Sequence, residues 1–135
     1  MADGGLDKAV TWKPFRSGAN PSIYADHDVL LHSCRQEAFG RVAIEAVQQG
    51  LLVVGPQEGG MAEVLGRDEV GLRVDFLAGA AAVDKVWALW SDEQRFSAFC
   101  SRAWRMARGR FGASSPATAM ARLYANIAAV RVTES

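Results

Sequence analysis

The sequence lacks most of what would mark a metal, disulfide or membrane protein. Among 135 residues there are two cysteines, Cys34 and Cys100, and two histidines. No Cys-x-x-Cys pair and no Cys/His ligand spacing occurs, which excludes a disulfide framework and a zinc module and leaves two reduced thiols. Fifteen basic and fifteen acidic residues cancel, so a broad basic face for nucleic acid is not expected. No apolar run approaches the roughly 18 residues of a membrane span. Met1 to Gly5 carry neither the basic flank nor the apolar core of a secretory leader. No internal repeat and no low-complexity segment is present. These absences point to a cytoplasmic chain with no integral membrane segment, a peripheral position at a membrane being left open.

What is present is ordinary globular composition, 50% hydrophobic and 22% charged. A chain of this length forms about one domain and buries roughly two-thirds of its unfolded surface.

In chain order, Val10 to Phe15 reads as a short strand, held to an edge or an end by Pro14. Arg16 to Pro21 is turn chemistry, and Pro21 opens a short helix through Tyr24 and Ala25. Asp28 to His32 is an apolar run without alternation, the pattern of a strand buried on both faces. A helix spans about Gly40 to Gln49, ended by Gly50 in the left-handed conformation. Leu51 to Val54 is a second buried strand, so the two strands and their helix form a parallel crossover. The Gly-rich loop Gly55 to Gly60 leads to a short helix, Met61 to Leu65, and Gly71 to Val74 gives a last strand.

The remainder is helical. Val83, Val86, Trp87 and Trp90 fall at i, i+3, i+4, i+7 and predict a core-facing stripe. Asp92 predicts the cap of the next helix, striped by Phe96, Phe99, Ala103 and Ala107. Ser115 and Pro116 suit the start of a final helix striped by Met120, Leu123, Tyr124 and Ile127. The fold class is therefore α/β, a partial Rossmann-like parallel sheet with flanking helices and a helical C-terminal tail.

The most informative stretch runs from Glu37 to Glu45. In a doubly wound sheet, ligands bind beyond the carboxyl ends of the strands, where loops enter helix N-termini. Backbone N–H groups around Phe39, Gly40 and Arg41 are expected to be free helix-start donors, suited to phosphate or sugar oxygens. Glu37 lies in the loop and Glu45 about one turn into the helix, and ionised carboxylates accept from hydroxyls. From spacing alone, two acids that merely complement the helix dipole remain the commoner arrangement.

Further residues fall into register with this stretch. Asp28-Val29-Leu30-Leu31-His32 precedes Glu37-Ala38-Phe39-Gly40-Arg41-Val42 and Glu45-Ala46. Gly50, Val53-Val54, Gly59-Gly60 and Glu63 follow. The pattern resembles the C-terminal, donor-binding half of retaining GT-B glycosyltransferases, the glycosyl transferases group 1 family, whose signature is a Glu, seven residues and a second Glu. The resemblance covers roughly residues 10–130. It implies an incomplete donor-binding domain there, with residues 1–9 a flexible lead and 131–135 a tail.

Carried over by position, the resemblance gives Glu37 a catalytic place beside the donor sugar. Ala38, Phe39, Gly40 and Arg41 would bind the donor, chiefly through backbone N–H groups to sugar hydroxyls and the distal phosphate. Glu45 would hold the ribose hydroxyls. The donor would be a nucleoside-diphosphate sugar such as a UDP- or GDP-sugar, with neither metal nor other cofactor.

The sequence also departs from the family. Ser33-Cys34 stands where Pro-Ser is usual, and Gln48 and Gln49 replace small or apolar residues. An acceptor-binding N-terminal domain is missing, as are the first strands of the donor domain with their diphosphate-gripping Arg or Lys. The expectation is a nucleotide-sugar-binding part, inactive without an acceptor-binding domain. It would self-associate or meet a partner chain that supplies that domain. The alternatives are a non-catalytic remnant acting as an oligomerising or interaction module, and a fragment of a sugar-nucleotide epimerase.

Other signals read as structural. Asp26-His27-Asp28 resembles a metal-binding Asp-x-Asp but leads into a strand without a companion ligand. His32, at a strand end, reads as a satisfied structural histidine, with a place facing the donor as the rival. Cys34 has no activating base. Arg102, Arg105, Arg108 and Arg110 read as a solvated basic face, and Trp87 and Trp90 as core.

Overall fold

The computed structural model describes residues 8–13, 22–112 and 118–125. Three parallel strands form a sheet in the order β1 (Val29–Leu31), β2 (Leu52–Gly55), β3 (Leu72–Arg73). Val29 pairs with Leu52 and Leu31 with Val54, and Val54 in turn with Leu72. Parallel neighbours need crossovers, and helices supply both. Helix α2 (Arg41–Gln48) joins β1 to β2, and α3 (Gly59–Leu65) joins β2 to β3. A short helix α1 (Ser22–Ala25) leads into β1, while α4 (Ala80–Trp90) and α5 (Glu93–Phe111) follow β3. Residues 118–125 are helical.

β2 is buried along its whole length because both sheet faces are covered there. Its side chains alternate between two cores. Val53 joins Ala43, Ala46, Val47, Met61, Leu65 and the Ala103/Ala107 side of α5. Leu52 and Val54 face the opposite way, onto Leu72, Val74 and Leu89. Phe99 packs against both clusters, so α5 closes the sheet from one end. The expected α5 stripe is thus present, and Asp92 caps the helix by accepting from the Arg95 N–H at 3.0 Å.

Four expectations change. β1 is not doubly buried: it is an edge strand, Val29 and Leu30 are half-buried and Leu31 is 65% exposed. An apolar run reports what covers a strand in the complete sheet, and among the described residues nothing pairs with the outer edge of β1. Residues 10–13 form no strand, while Pro14 and Phe15 lie outside the described residues.

The α4 stripe is rotated. Trp87 is 59% and Val83 65% exposed, with Trp90 exposed beside them. The helix instead turns Ala82, Val86 and Leu89 inward. Both sets fit i, i+4, i+7 on a helix that is apolar nearly all round, so periodicity alone could not choose between them. Finally, Met120, Leu123 and Tyr124 are exposed rather than packed, and Ser115, Pro116 and Ile127 lie outside the described residues.

The arginines of α5 are exposed as expected. Three of them also lie over rings: Arg102 over Phe99, Arg108 over Trp104 and Arg110 over Phe111. Among the described residues no helix is long and apolar enough to cross a membrane.

Candidate functional site

The loop from His32 to Gly40 leaves the carboxyl end of β1 and enters α2. The His32 N–H still donates to the Val54 carbonyl at 2.9 Å, which fixes where the loop begins. Its far end is fixed by glycine. Gly40 sits at φ 59° and ψ 33°, left-handed backbone that a Cβ would strain. Gly60, at the start of α3, donates its N–H to the Glu37 carbonyl at 2.8 Å. A Cβ on Gly60 would collide with the Ala38 carbonyl oxygen. Of the Gly-rich segment Gly55–Gly60 read from sequence as a loop, Gly55 ends β2, residues 56–58 are loop, and Gly59 and Gly60 open α3, on which the loop bearing Glu37 rests.

Glu37 points back at the helix start. Its Oε1 accepts from the N–H groups of Phe39 at 3.4 Å and Gly40 at 3.3 Å. Its Oε2 lies 3.7 Å from His32 Nε2. The donors expected to be free at Phe39 and Gly40 are therefore occupied by a carboxylate, through long and weak bonds. The N–H groups of Arg41 and Val42 have no backbone acceptor among the described residues. His32 is not the satisfied structural residue expected, since its Nδ1 is buried without a partner. The His32 ring and the Glu37 carboxylate thus stand side by side at the helix start, beyond hydrogen-bond reach of one another.

Glu45 has separate partners. Its Oε2 accepts from the Tyr24 hydroxyl at 3.2 Å, and its Oε1 is 3.6 Å from the Arg41 guanidinium one turn earlier. Burial, followed by the Glu45 charge and its hydrogen bond, pushes the Tyr24 phenol above its ordinary range. The structure thus brings Glu37, Phe39 and Gly40 together and, separately, Arg41 and Glu45. No hydrogen bond among the described residues joins the two glutamates. Phe39 is 76% exposed, and Ala38 and Arg41 are also on the surface.

Sequence reasoning missed Tyr24 and the pair of Arg35 with Glu58. The latter ties the loop after β1 to the loop after β2. Neither has a local signature, because the partners are 21 and 23 residues apart. Two concavities flank the Glu37 loop. One, of about 580 Å³, lies at the carboxyl ends of all three strands between Ser33, Arg35, Glu58 and Asp75. The other, of about 380 Å³, lies between Phe39, Arg41, Glu63 and Arg110.

Among the described residues no three His, Cys, Asp or Glu side chains gather as a metal-binding group, the Asp26-His27-Asp28 segment included. Cys34 and Cys100 are free thiols.

A three-stranded parallel sheet with helical crossovers, and a glycine-braced loop opening a helix at the strand ends, define a Rossmann-like half-domain of the GT-B type. Residues 2–105 match the glycosyl transferases group 1 family, and the chain belongs to it. Over 122 residues it is 33% identical to the D-inositol 3-phosphate glycosyltransferase of Xylanimonas cellulosilytica, covering 90% of this chain and 29% of that protein.

Among solved structures it superposes on the C-terminal domain of a glycosyl transferase group 1 family protein from Francisella tularensis. That match has a TM-score of 0.69 and 25% identity, over 81% of this chain and 57% of the other. It also superposes on Anabaena HepE in complex with UDP-glucose, with a TM-score of 0.70 and 26% identity, over 90% of this chain and 34% of the other. The chain therefore spans well under two-thirds of each relative.

Proposed function

We propose that this chain is the nucleotide-sugar-binding part of a retaining glycosyltransferase, taking a nucleoside-diphosphate sugar at the Glu37–Glu45 stretch. The observation that carries this is the loop itself: a left-handed Gly40 opening α2 with Glu37 folded over its first N–H groups. Two weak bonds to Glu37 are easily exchanged for bonds to a ligand. A sugar hydroxyl or phosphate oxygen arriving at Phe39 and Gly40 would free the carboxylate to turn toward the sugar.

The helix start then stabilises negative charge on the departing diphosphate, the term on which glycosyl transfer depends most. Glu45, about 40% exposed at its side chain, would accept from ribose hydroxyls. The Anabaena relative holds UDP-glucose in one structure and UDP with glucose in another, which supports UDP-sugars as the first donors to try.

Transfer itself requires an acceptor-binding domain, supplied by a partner chain or by further residues, and the 135-residue chain alone is inactive. A second reading, an associating module without catalysis, is favoured by one observation. An almost wholly apolar groove of about 370 Å³ is open between Leu31, Val83, Trp87 and Trp90, and exposed surface of this kind promotes association.

Calorimetric titration of UDP, GDP and their sugars separates the two readings. Donor binding predicts measurable heat with at least one nucleotide sugar, weakened about tenfold or more in Glu45→Ala. No heat at millimolar ligand would sink it and leave the associating module.

A further inference from the structure

The sheet has two outer edges, and the chain treats them differently. At β3 the outward N–H and carbonyl belong to Arg73, since Leu72 and Val74 face β2. Asp68 accepts from that N–H at 2.7 Å, and Lys85 donates to that carbonyl at 2.8 Å. Side chains thus close this edge to a further strand, as exposed edges require.

At β1 no such cap is present among the described residues. The Asp28 carbonyl accepts from the Leu52 N–H and the His32 N–H donates to the Val54 carbonyl, both at 2.9 Å. Backbone groups alternate sides along a strand, so those of Leu30 also face β2 and those of Val29 and Leu31 face outward. Neither outward pair has a hydrogen-bond partner among the described residues. The Val29 and Leu31 side chains form one wall of the apolar groove whose other wall includes Val83, Trp87 and Trp90. On the other face Thr11, Ile23 and His27 lie beside Val29 and Leu30 without a backbone hydrogen bond to them.

An uncapped edge continuous with an apolar groove suits a strand that brings its own apolar cover, and a second copy offers both. Two β1 edges related by a two-fold axis run antiparallel. One register uses every outward group: Val29 and Leu31 exchange N–H···O bonds with Leu31 and Val29 of the second copy, and Leu30 meets its counterpart on the axis. This register sets Asp28 opposite His32 of the second copy, so no acid meets an acid along the seam. The axis stands perpendicular to the joined sheet and leaves both α4 helices on one face. The open sides of the two grooves then close over one another and take Trp87 and Trp90 out of water.

We propose that two copies of the chain join through their β1 edges into one continuous sheet, and that the capped β3 edge stops assembly at the dimer. Addition of β1 onto β3 of a next copy would propagate without closing, and Asp68 and Lys85 block it. The proposal names the partner of the apolar groove and is independent of the donor reading, since mass tests the one and nucleotide binding the other.

Sedimentation velocity of the 135-residue chain at high micromolar concentration should give a dimer and nothing larger. Leu31→Pro removes one backbone N–H, an outward one, and leaves the ladder to β2 whole. It should weaken the dimer about tenfold or more without changing the circular dichroism of the fold. Leu31→Lys, which keeps that N–H and puts a charge in the seam, should do the same. Crosslinking in a Cys34→Ser, Cys100→Ser background reads the register. Leu30→Cys lies on the axis, where opposed Cα atoms are about 4.5 Å apart and a disulfide forms. Val29→Cys should resist crosslinking, because its counterpart lies diagonally across the seam at about 7–8 Å.

A monomeric wild type, a dimer that both Leu31 variants leave intact, or assemblies larger than a dimer would each overturn the proposal. So would crosslinking that is no faster at Leu30→Cys than at Val29→Cys.

Discussion

Gly60 donates its N–H to the carbonyl of Glu37 at 2.8 Å, and its missing side chain leaves the room that the Ala38 carbonyl fills. The first turn of α3 is thereby a floor for the loop that opens α2. The catalytic place proposed for Glu37 would need such a support, because tolerances at a reacting centre are fractions of an ångström.

Gly60→Ala tests the support. The added methyl meets backbone carbonyl, which cannot rotate away, so the loop must lift. The expected cost is about 1–3 kcal/mol of unfolding free energy, read by denaturant titration. Nucleotide-sugar binding should fall by more than stability alone explains.

Tyr24 and Glu45 are linked across 21 residues. The Tyr24 phenol, raised by burial and by the Glu45 charge, binds its proton more tightly folded than unfolded. Any stability from this shift is complete below the unfolded tyrosine value near 10 and is lost as pH rises through the folded one. Phenolate absorbance should show one of the two tyrosines titrating late, and Glu45→Gln should bring it back toward the ordinary value.

Asp68 organises the far edge of the sheet. It accepts from the Arg73 N–H at 2.7 Å and from Lys85 Nζ at 2.7 Å, while Lys85 also donates to the Arg73 carbonyl at 2.8 Å. Burial works against the Asp68 carboxylate, but Lys85 and the Arg73 N–H outweigh it and hold its pKa below the usual value. Its stabilisation is therefore present above about 4 and is lost as pH falls through the depressed folded value. Asp68→Ala should cost about 1–2 kcal/mol at neutral pH and remove this part of the acid sensitivity, measured as unfolding midpoints from pH 6 downward.

Leu31, Val83, Trp87 and Trp90 give the chain an exposed apolar surface beside the edge of β1 that pairs with no strand among the described residues. Light scattering at high micromolar concentration should show association, and Trp87→Lys should reduce it without unfolding the chain. A monomer under these conditions contradicts that expectation.

The parts of the fold visible in sequence were those with local signals. β2 is an unbroken apolar run because it is covered on both faces, and Gly50, at φ 91°, ends α2 as its position implied. Asp92 caps α5 by local geometry alone. The parts that were not visible depend on what lies across space. Which face of α4 turns inward depends on the sheet it meets, and whether β1 is buried depends on what lies beyond its edge. The acids of the Glu37–Glu45 stretch were visible as residues, but their contacts were not. Glu37 covers Phe39 and Gly40, His32 adjoins it, and Tyr24 holds Glu45 from a separate helix.

The most direct test is amide chemical-shift mapping of the ¹⁵N-labelled chain during titration with UDP-glucose. Binding at the proposed site predicts the largest shifts at the Phe39, Gly40, Arg41 and Val42 N–H groups, with the Phe39 and Gly40 changes reduced in Glu37→Gln. No shifts at millimolar ligand, or shifts that leave the start of α2 untouched, would contradict it.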